Sequence, residues 1–333
     1  MSANLDMSNG RVNFAFTGDR KDIWHRQGTQ MPAGASIEEW ATAAGLAWKA
    51  IKTPAFTQLP DGSMKAVPGW SYETRDDTLA QLGYTSNAGY KTVQPIETLY
   101  TVGQYTSVDD RFQLDAAGCL DGGKRVWATA TFNSEMNVAG SAHRPRLLAC
   151  TSFDGTMATW LNGTATRVVC ANTLAASLAD HGAQFRVYHS RKFDRVEAGK
   201  QLAKIAKGFD AYKAMGDAMA LTHFSETETD LLFKRLLDIP ETAAREDIST
   251  RKLNQFIALG EAYKATVEEG TERDTVWTAL NAVTRYVDHS RSSRAGDNAD
   301  SARFDSSLFG SGAALKAEAW GLLVPLIKDR VAA

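Results

Sequence analysis

The chain has 333 residues, long for one hydrophobic core and sufficient for two lobes, because single cores stop growing near ~250–300 residues. Hydrophobic residues make up 44% and charged residues 23%, with 26 Gly and 8 Pro, which excludes collagen-like, coiled-coil and wholly disordered chains. Lys and Arg number 37 against 39 Asp and Glu, a net charge of −2, so a uniformly basic coat is excluded while a local basic face is not.

The polar leader, residues 1–28, lacks the apolar stretch of a signal peptide, and no run of about 18 apolar residues occurs, which predicts a cytoplasmic protein without a membrane span. SIEEWATAAGLAWKAIK (36–52) predicts a first helix. Ser36 caps its first turn, Glu39 completes a capping box, and Trp40, Ala43, Ala44, Ala47 and Trp48 share one side. A strand-rich stretch follows, with Asp61-Gly62 placed to turn a hairpin between 56 and 75. LGYTSNAGYKTV (82–93) reads as two short strands, or a strand and a loop, pivoting at Asn87, and a helix opens at Pro95.

The strongest β pattern lies in the centre. FQLDAAGCLDGGKRVWATATF (112–132) turns at Asp121-Gly122-Gly123, and RPRLLACTSFDGTMATWLNGTATRVVC (144–170) turns at Asp154-Gly155, which gives four strands in two hairpins. ANTLAASLADHG then predicts a short helix capped by Asn172 and stopped by Gly182, and FRVYHS adds a strand. From Arg195 onward the spacing becomes helical, with Leu202, Ile205, Phe209, Tyr212, Met215 and Met219 on one stripe. Helices at 228–239, 251–267 and 275–290 follow, then a Ser/Arg/Asp/Gly loop (290–312) and a last helix near 315–327. The expected fold is α+β: a lobe of antiparallel hairpins with packed helices over 1–194 and a mainly helical lobe over 195–333.

Charge is sorted along the chain. Residues 181–213 hold eight Lys and Arg against three acids, whereas 225–274 hold twelve acids against seven bases. Such sorting permits a basic face on a near-neutral protein, although a charge run can equally be a solvated helix surface. The six histidines are scattered without metal-ligand spacing, and the chain has no phosphate-binding glycine loop and no nucleophile elbow, so no metal or cofactor is expected. Three cysteines, Cys119, Cys150 and Cys170, form no C-x-x-C pair, which argues against a disulfide scaffold or a cysteine zinc site. Cys170, between a strand and a helix start and followed by His181 and His189, is the candidate nucleophile, but a Cys continuing Val168-Val169 also suits a buried strand.

Basic and aromatic residues interleave on the central hairpins: Lys124, Arg125, Arg144, Arg146 and Arg167 among Trp127, Phe132, Phe153 and Trp160, with Tyr84, Tyr90 and Lys91 just before. Cations neutralise phosphates and flat rings stack on unpaired bases of any sequence, so this pattern points to single-stranded nucleic acid. Arg191 and Lys192 extend the basic set. Alternating aromatics also build ordinary sheet cores.

Several segments carry a resemblance. Trp24-His25, LGYTSNAGYKTVQPIETL, LDGGKRVWATA, RVVCANTL and TVWTALNAVTRYVDHSR occur in the order seen in the phage/plasmid-like proteins of domain-of-unknown-function family 932, and the resemblance spans nearly the whole chain. Two hairpins feeding a helix are also similar in topology to the core of ring-forming single-strand annealing proteins of the Erf and Sak kinds, which implies a strand-binding groove and a homo-oligomer. Together these predict a non-enzymatic accessory protein of a mobile element that binds single-stranded DNA and promotes annealing or recombination. Lys91, Lys124, Arg125, Arg144, Arg146, Arg167, Arg191 and Lys192 would hold phosphates while Trp127 and Tyr90 stack. The alternatives are a factor that binds a host protein, for which the acidic 225–274 helices would serve, and an enzyme using Cys170.

Overall fold

The computed structural model describes residues 6–7, 10–19, 27–167, 184–291, 306 and 310–331. Alternating apolar residues build the first half mainly into strands: β1 (Phe14–Phe16), β2 (Thr29–Gln30), β3 (Ala50–Gln58), β4 (Met64–Arg75), β5 (Gln81–Ser86), β6 (Phe112–Leu120), β7 (Arg125–Phe132), β8 (Met136–Val138), β9 (Ser141–Ser152), β10 (Thr159–Arg167) and β11 (Gln184–Val187). Helices α1 (Ile37–Ala43) and α2 (Ile96–Val108) interrupt them. Then follow α3 (Arg195–Leu221), α4 (Glu226–Leu236), α5 (Thr250–Glu268), α6 (Val276–Arg285) and α7 (Ser311–Val331). The fold is α+β.

One sheet runs β11-β10-β9-β7-β6-β1-β2, with β8 paired to β9, and a second runs β3-β4-β5. Both central hairpins form as their turn residues dictate. Asp121, Gly122 and Gly123 adopt φ of 52°, 70° and 98° between β6 and β7, a left-handed run that Asp and Gly tolerate. Side chains alternate across the large sheet. Val126, Ala128 and Ala130 of β7 and Leu147 and Ala149 of β9 join α2 and α3 in the principal core. That core crosses residue 194 without a break: Phe209 of α3 meets Phe132 edge-on at 5.6 Å, and Tyr212 lies 6.0 Å from Trp320 of α7. His143 of β9 packs 5.6 Å from Trp277 of α6.

Three expectations change. The first helix stops at Ala43, and Ala50-Ile51-Lys52 open a strand instead. The capping box of Ser36 and Glu39 forms as read, but Gly45 follows at φ 67° with Asn13 packed against its Cα, where a Cβ would lie 2.3 Å from the Asn13 side chain. The leader is not merely polar, because Phe14–Phe16 pairs with β6 and extends the sheet toward β2. The segment 275–290 is not one regular helix; α6 passes into a single π turn at Tyr286–Ser290. The short helix read at 171–182, Cys170 with it, lies outside the described residues.

The small sheet exposes strand β3 as an edge, and that edge is blunted. The Gln94 side chain pairs with it like a strand, accepting from Ala50 N at 2.9 Å and donating to Ala50 O at 3.1 Å. Pro54, two pairs of residues on, offers no N–H to a further strand. No helix among the described residues is long and apolar enough to cross a membrane.

Candidate nucleic-acid interface

One end of the large sheet gathers cations because four chain segments terminate there. The 121–123 turn delivers Lys124 and Arg125 to the start of β7, β9 ends at Ser152 opposite Arg125, and β11 ends at Val187 opposite Thr159. Beyond β11 the chain turns through an exposed Tyr188 into exposed Arg191 and Lys192, with Arg191 N donating to Tyr188 O at 2.9 Å. The loop after β5 meets this turn, since Lys91 N donates to His189 O at 2.5 Å. Lys91 and Lys124 are exposed as well. Arg186, opposite Trp160 in register, lies 5.2 Å from its ring.

Tyr90 and His189 hold this junction together. Their rings stack at 4.4 Å with 10° between planes, Tyr90 Oη donates to Ser152 O at 2.8 Å, and Lys52 Nζ lies 5.8 Å from the Tyr90 ring. Burial pushes the Tyr90 hydroxyl well above its usual range, and burial also lowers His189, whose Nδ1 lies 3.0 Å from Lys91 O. The imidazole is therefore neutral at pH 7 and acts as packing. Tyr90, read as a stacking residue, is placed as a strut. Trp127 is half-buried at mid-sheet against Phe14, with ring centroids 5.7 Å apart.

The structure divides the remaining cations. Arg144 and Arg146 sit toward the opposite end of β9, eight and six residues from Ser152, roughly 26 and 20 Å along the strand. There Arg146 Nε donates to Asp115 Oδ2 at 2.6 Å and Arg144 lies 3.5 Å from Glu135. These residues line a cavity of about 200 Å³ together with Thr17, Asp19 and Asn133. Its mixed charge suits a polar ligand less than it suits mutual neutralisation. Arg167 ends β10 opposite His143, at the same far end. The basic set therefore resolves into Lys91, Lys124, Arg125, Arg191 and Lys192 at one end and three arginines at the other.

Helix α3 continues the basic end. Asp194 caps it, accepting from Val196 N and Glu197 N at 2.9 and 3.1 Å, and Lys200, Lys204 and Lys207 are exposed at four- and three-residue spacing, hence on one face. Arg195 and Lys213 are held elsewhere, by Glu97 at 2.8 Å and Asp217 at 2.5 Å.

Sequence reading picked out Tyr84 but missed the surface to which it belongs. Trp70, Tyr72 and Tyr84 share the outer face of the small sheet, Tyr72 directly opposite Tyr84 in register. The i, i+2 spacing of Trp70 and Tyr72 was the available signal, since alternate residues of a strand face one way.

Cys119 and Cys150 are buried, and burial pushes the Cys119 thiol up to about 12 and Cys150 higher still, so neither is an activated nucleophile. Among the described residues no group of His, Cys, Asp and Glu could hold a metal ion. No curated protein and no solved structure matches the chain. The profile of the domain of unknown function DUF932 matches residues 82–308, from β5 through the sheet end, the lysine stripe of α3 and the helical layer. With two thirds of its length under that match, the chain belongs to the DUF932 family.

Proposed function

We propose that this protein binds single-stranded nucleic acid, with the phosphates held at the basic end of the large sheet and along α3. The observation that carries this reading is the convergence there of Lys91, Lys124, Arg191 and Lys192, all exposed, beside the exposed Lys200, Lys204 and Lys207. Asp121 and Asp194 are exposed nearby, but cations outnumber acids along this end, and each phosphate a cation neutralises releases counterions. Binding needs no cofactor. Strand annealing by an oligomer, in a phage or plasmid setting, belongs to the same proposal and draws on the resemblance in topology to annealing proteins.

Replacing Lys124, Arg191 and Lys192 together by Gln is expected to weaken binding of a labelled single strand and to flatten its salt dependence, by about 0.7 in the log–log slope per cation removed. Fluorescence anisotropy at several salt concentrations measures both. An unchanged slope would place the phosphates elsewhere. Arg144→Gln is expected to leave the slope unaltered, because its charge lies beside Glu135 at the far end.

A second reading, protein binding, draws on the β3–β4 hairpin, where Phe56, Leu59 and Met64 expose apolar side chains around the Asp61-Gly62 turn. Ser at Phe56 and Met64 would remove a protein contact there without altering the salt slope.

A further inference from the structure

We infer that the bases of the bound strand stack on the outer face of the small sheet, at Trp70, Tyr84 and Tyr72, and not on Trp127 or Tyr90. This rests on the single-strand reading above and gives it a base-binding site. The strand register places Ile51, Thr53, Trp70, Tyr72 and Tyr84 on one face. Trp70 and Tyr84 stack with centroids 4.9 Å apart and 15° between planes, and Tyr72 tilts against Tyr84 at 5.4 Å. Packing against a neighbour fixes each ring without covering it, since Trp70 remains 43% and Tyr84 46% exposed. Such a pair loses little freedom when a base extends the stack.

The face is chemically one-sided. Its carboxylate and guanidinium neighbours point the other way: Glu73 is buried on the inner side, accepting from Thr85 Oγ1 at 3.0 Å and Thr92 Oγ1 at 2.9 Å, and Arg75 is buried beside it. The outer side therefore offers rings and hydroxyls and no anion that would repel a nucleic acid. Charge complementarity selects the occupant. Trp70 pairs with Ser86, and Ser86 opens the turn to Tyr90 that Lys52 Nζ binds at Ser86 O (3.2 Å) and Tyr90 O (2.9 Å). Lys91 follows at once and contacts the Tyr188–Lys192 turn. A single strand whose phosphates lie on that basic end has its bases delivered to the aromatic face by the shared 86–91 turn. Close approach of the two sheets makes this possible: Gly83 lies so near the 153–154 turn that a Cβ would meet Phe153 O at 2.3 Å.

The test compares a labelled oligothymidylate with an abasic strand of equal length, so that the charge is constant and only the bases differ. The wild-type protein is expected to bind the thymidylate roughly ten-fold or more tightly than the abasic strand. Trp70→Ala and Tyr84→Ala should each shrink that ratio, Trp70→Phe should keep most of it, and the salt slope should not move in any of them. Trp70 is the one exposed tryptophan among those described, so thymidylate, and not the abasic strand, should quench emission that Trp70→Phe lacks. A ratio near one, or a ratio unaffected in both alanine variants, overturns the stacking site while leaving phosphate binding intact. Failure of the wild type to bind either strand overturns the single-strand reading and this inference together. Both substituted positions are exposed, and a thermal melt for each variant confirms that it folds.

Discussion

Asp288→Ala is expected to destabilise the protein by about 3–5 kcal/mol, read as a lowered urea midpoint, because it removes a carboxylate from beside a fully buried ammonium. Lys316 on α7 is 0% exposed, and its Nζ lies 3.0 Å from Oδ1 of Asp288, itself 8% exposed, in the π turn after α6. Burial is the principal influence on Lys316 and lowers its pKa, and Asp288 opposes that fall. A buried pair is costly to break but not costly to replace. Lys316→Met combined with Asp288→Leu is therefore expected to recover most of the loss, in a double-mutant cycle with strong coupling. The pH signature is distinct. Between the lowered folded pKa and the ordinary unfolded value near ~10.4, the unfolded chain binds the extra proton, so stability rises with pH across that window. Lys316→Met should abolish this rise, as measured by urea unfolding at successive pH values. A single alanine variant as stable as the wild type would show that the pair is not what holds α7 to α6.

Arg75→Met carries the second large effect, and it reaches the proposed binding surface. The guanidinium donates to Asp6 Oδ2 at 2.6 Å, to both Asp77 oxygens at 2.9 and 2.8 Å and to Gly122 O at 3.2 Å, and it lies 4.7 Å from the Trp48 ring. It ties the leader, the small sheet, the α1–β3 connection and the turn that presents Lys124 and Arg125. Asp6 and Arg75 side chains are each 1% exposed, so removing the cation leaves a carboxylate buried, and a loss of about 3–5 kcal/mol is expected. Arg75→Lys should not rescue it, because an ammonium cannot satisfy three directions with a planar fork. Arg75 also holds Asp77 below the usual carboxylate range; that share of stability is present at neutral pH and is lost as pH falls through the lowered value. Asp77 is 40% exposed, so solvent keeps this share small. With the Gly122 carbonyl released, the Lys124 amide, which donates to Asp121 O at 3.3 Å across that turn, should lose protection in hydrogen exchange, and nucleic-acid affinity should fall further than in Lys124→Gln. Normal stability of Arg75→Met would refute this account.

Local signals carried most of the secondary structure. Asp61-Gly62, Asp121-Gly122-Gly123 and Asp154-Gly155 each turn a hairpin, since positive φ is tolerated there and the flanking residues alternate. The capping box at Ser36 and Glu39 and the helical stripe from Leu202 to Met219 were equally legible, being written within a few residues. What failed was non-local. Nothing beside Ala44 and Gly45 in the chain announces that Asn13 closes the helix end, and nothing near Phe14–Phe16 announces a partner in β6, about a hundred residues away.

The binding surface divides in the same way. The sequence by itself determined that the chain is near neutral overall, that basic residues concentrate in 181–213, and that aromatics and cations interleave on strands; composition and period-2 spacing suffice for those statements. Only the tertiary structure decided which of them meet. Strand pairing carries Lys91 and Lys124 to Arg191 and Lys192, and the same antiparallel register carries Arg144 and Arg146 to the opposite end beside Glu135 and Asp115. Packing decided which rings are spent: Tyr90 on His189 and Trp127 on Phe14, while Trp70 and Tyr84 stay open to solvent. A residue's type and strand position fix what it can do, but its availability depends on neighbours brought from far along the chain, and those are set by register and close packing.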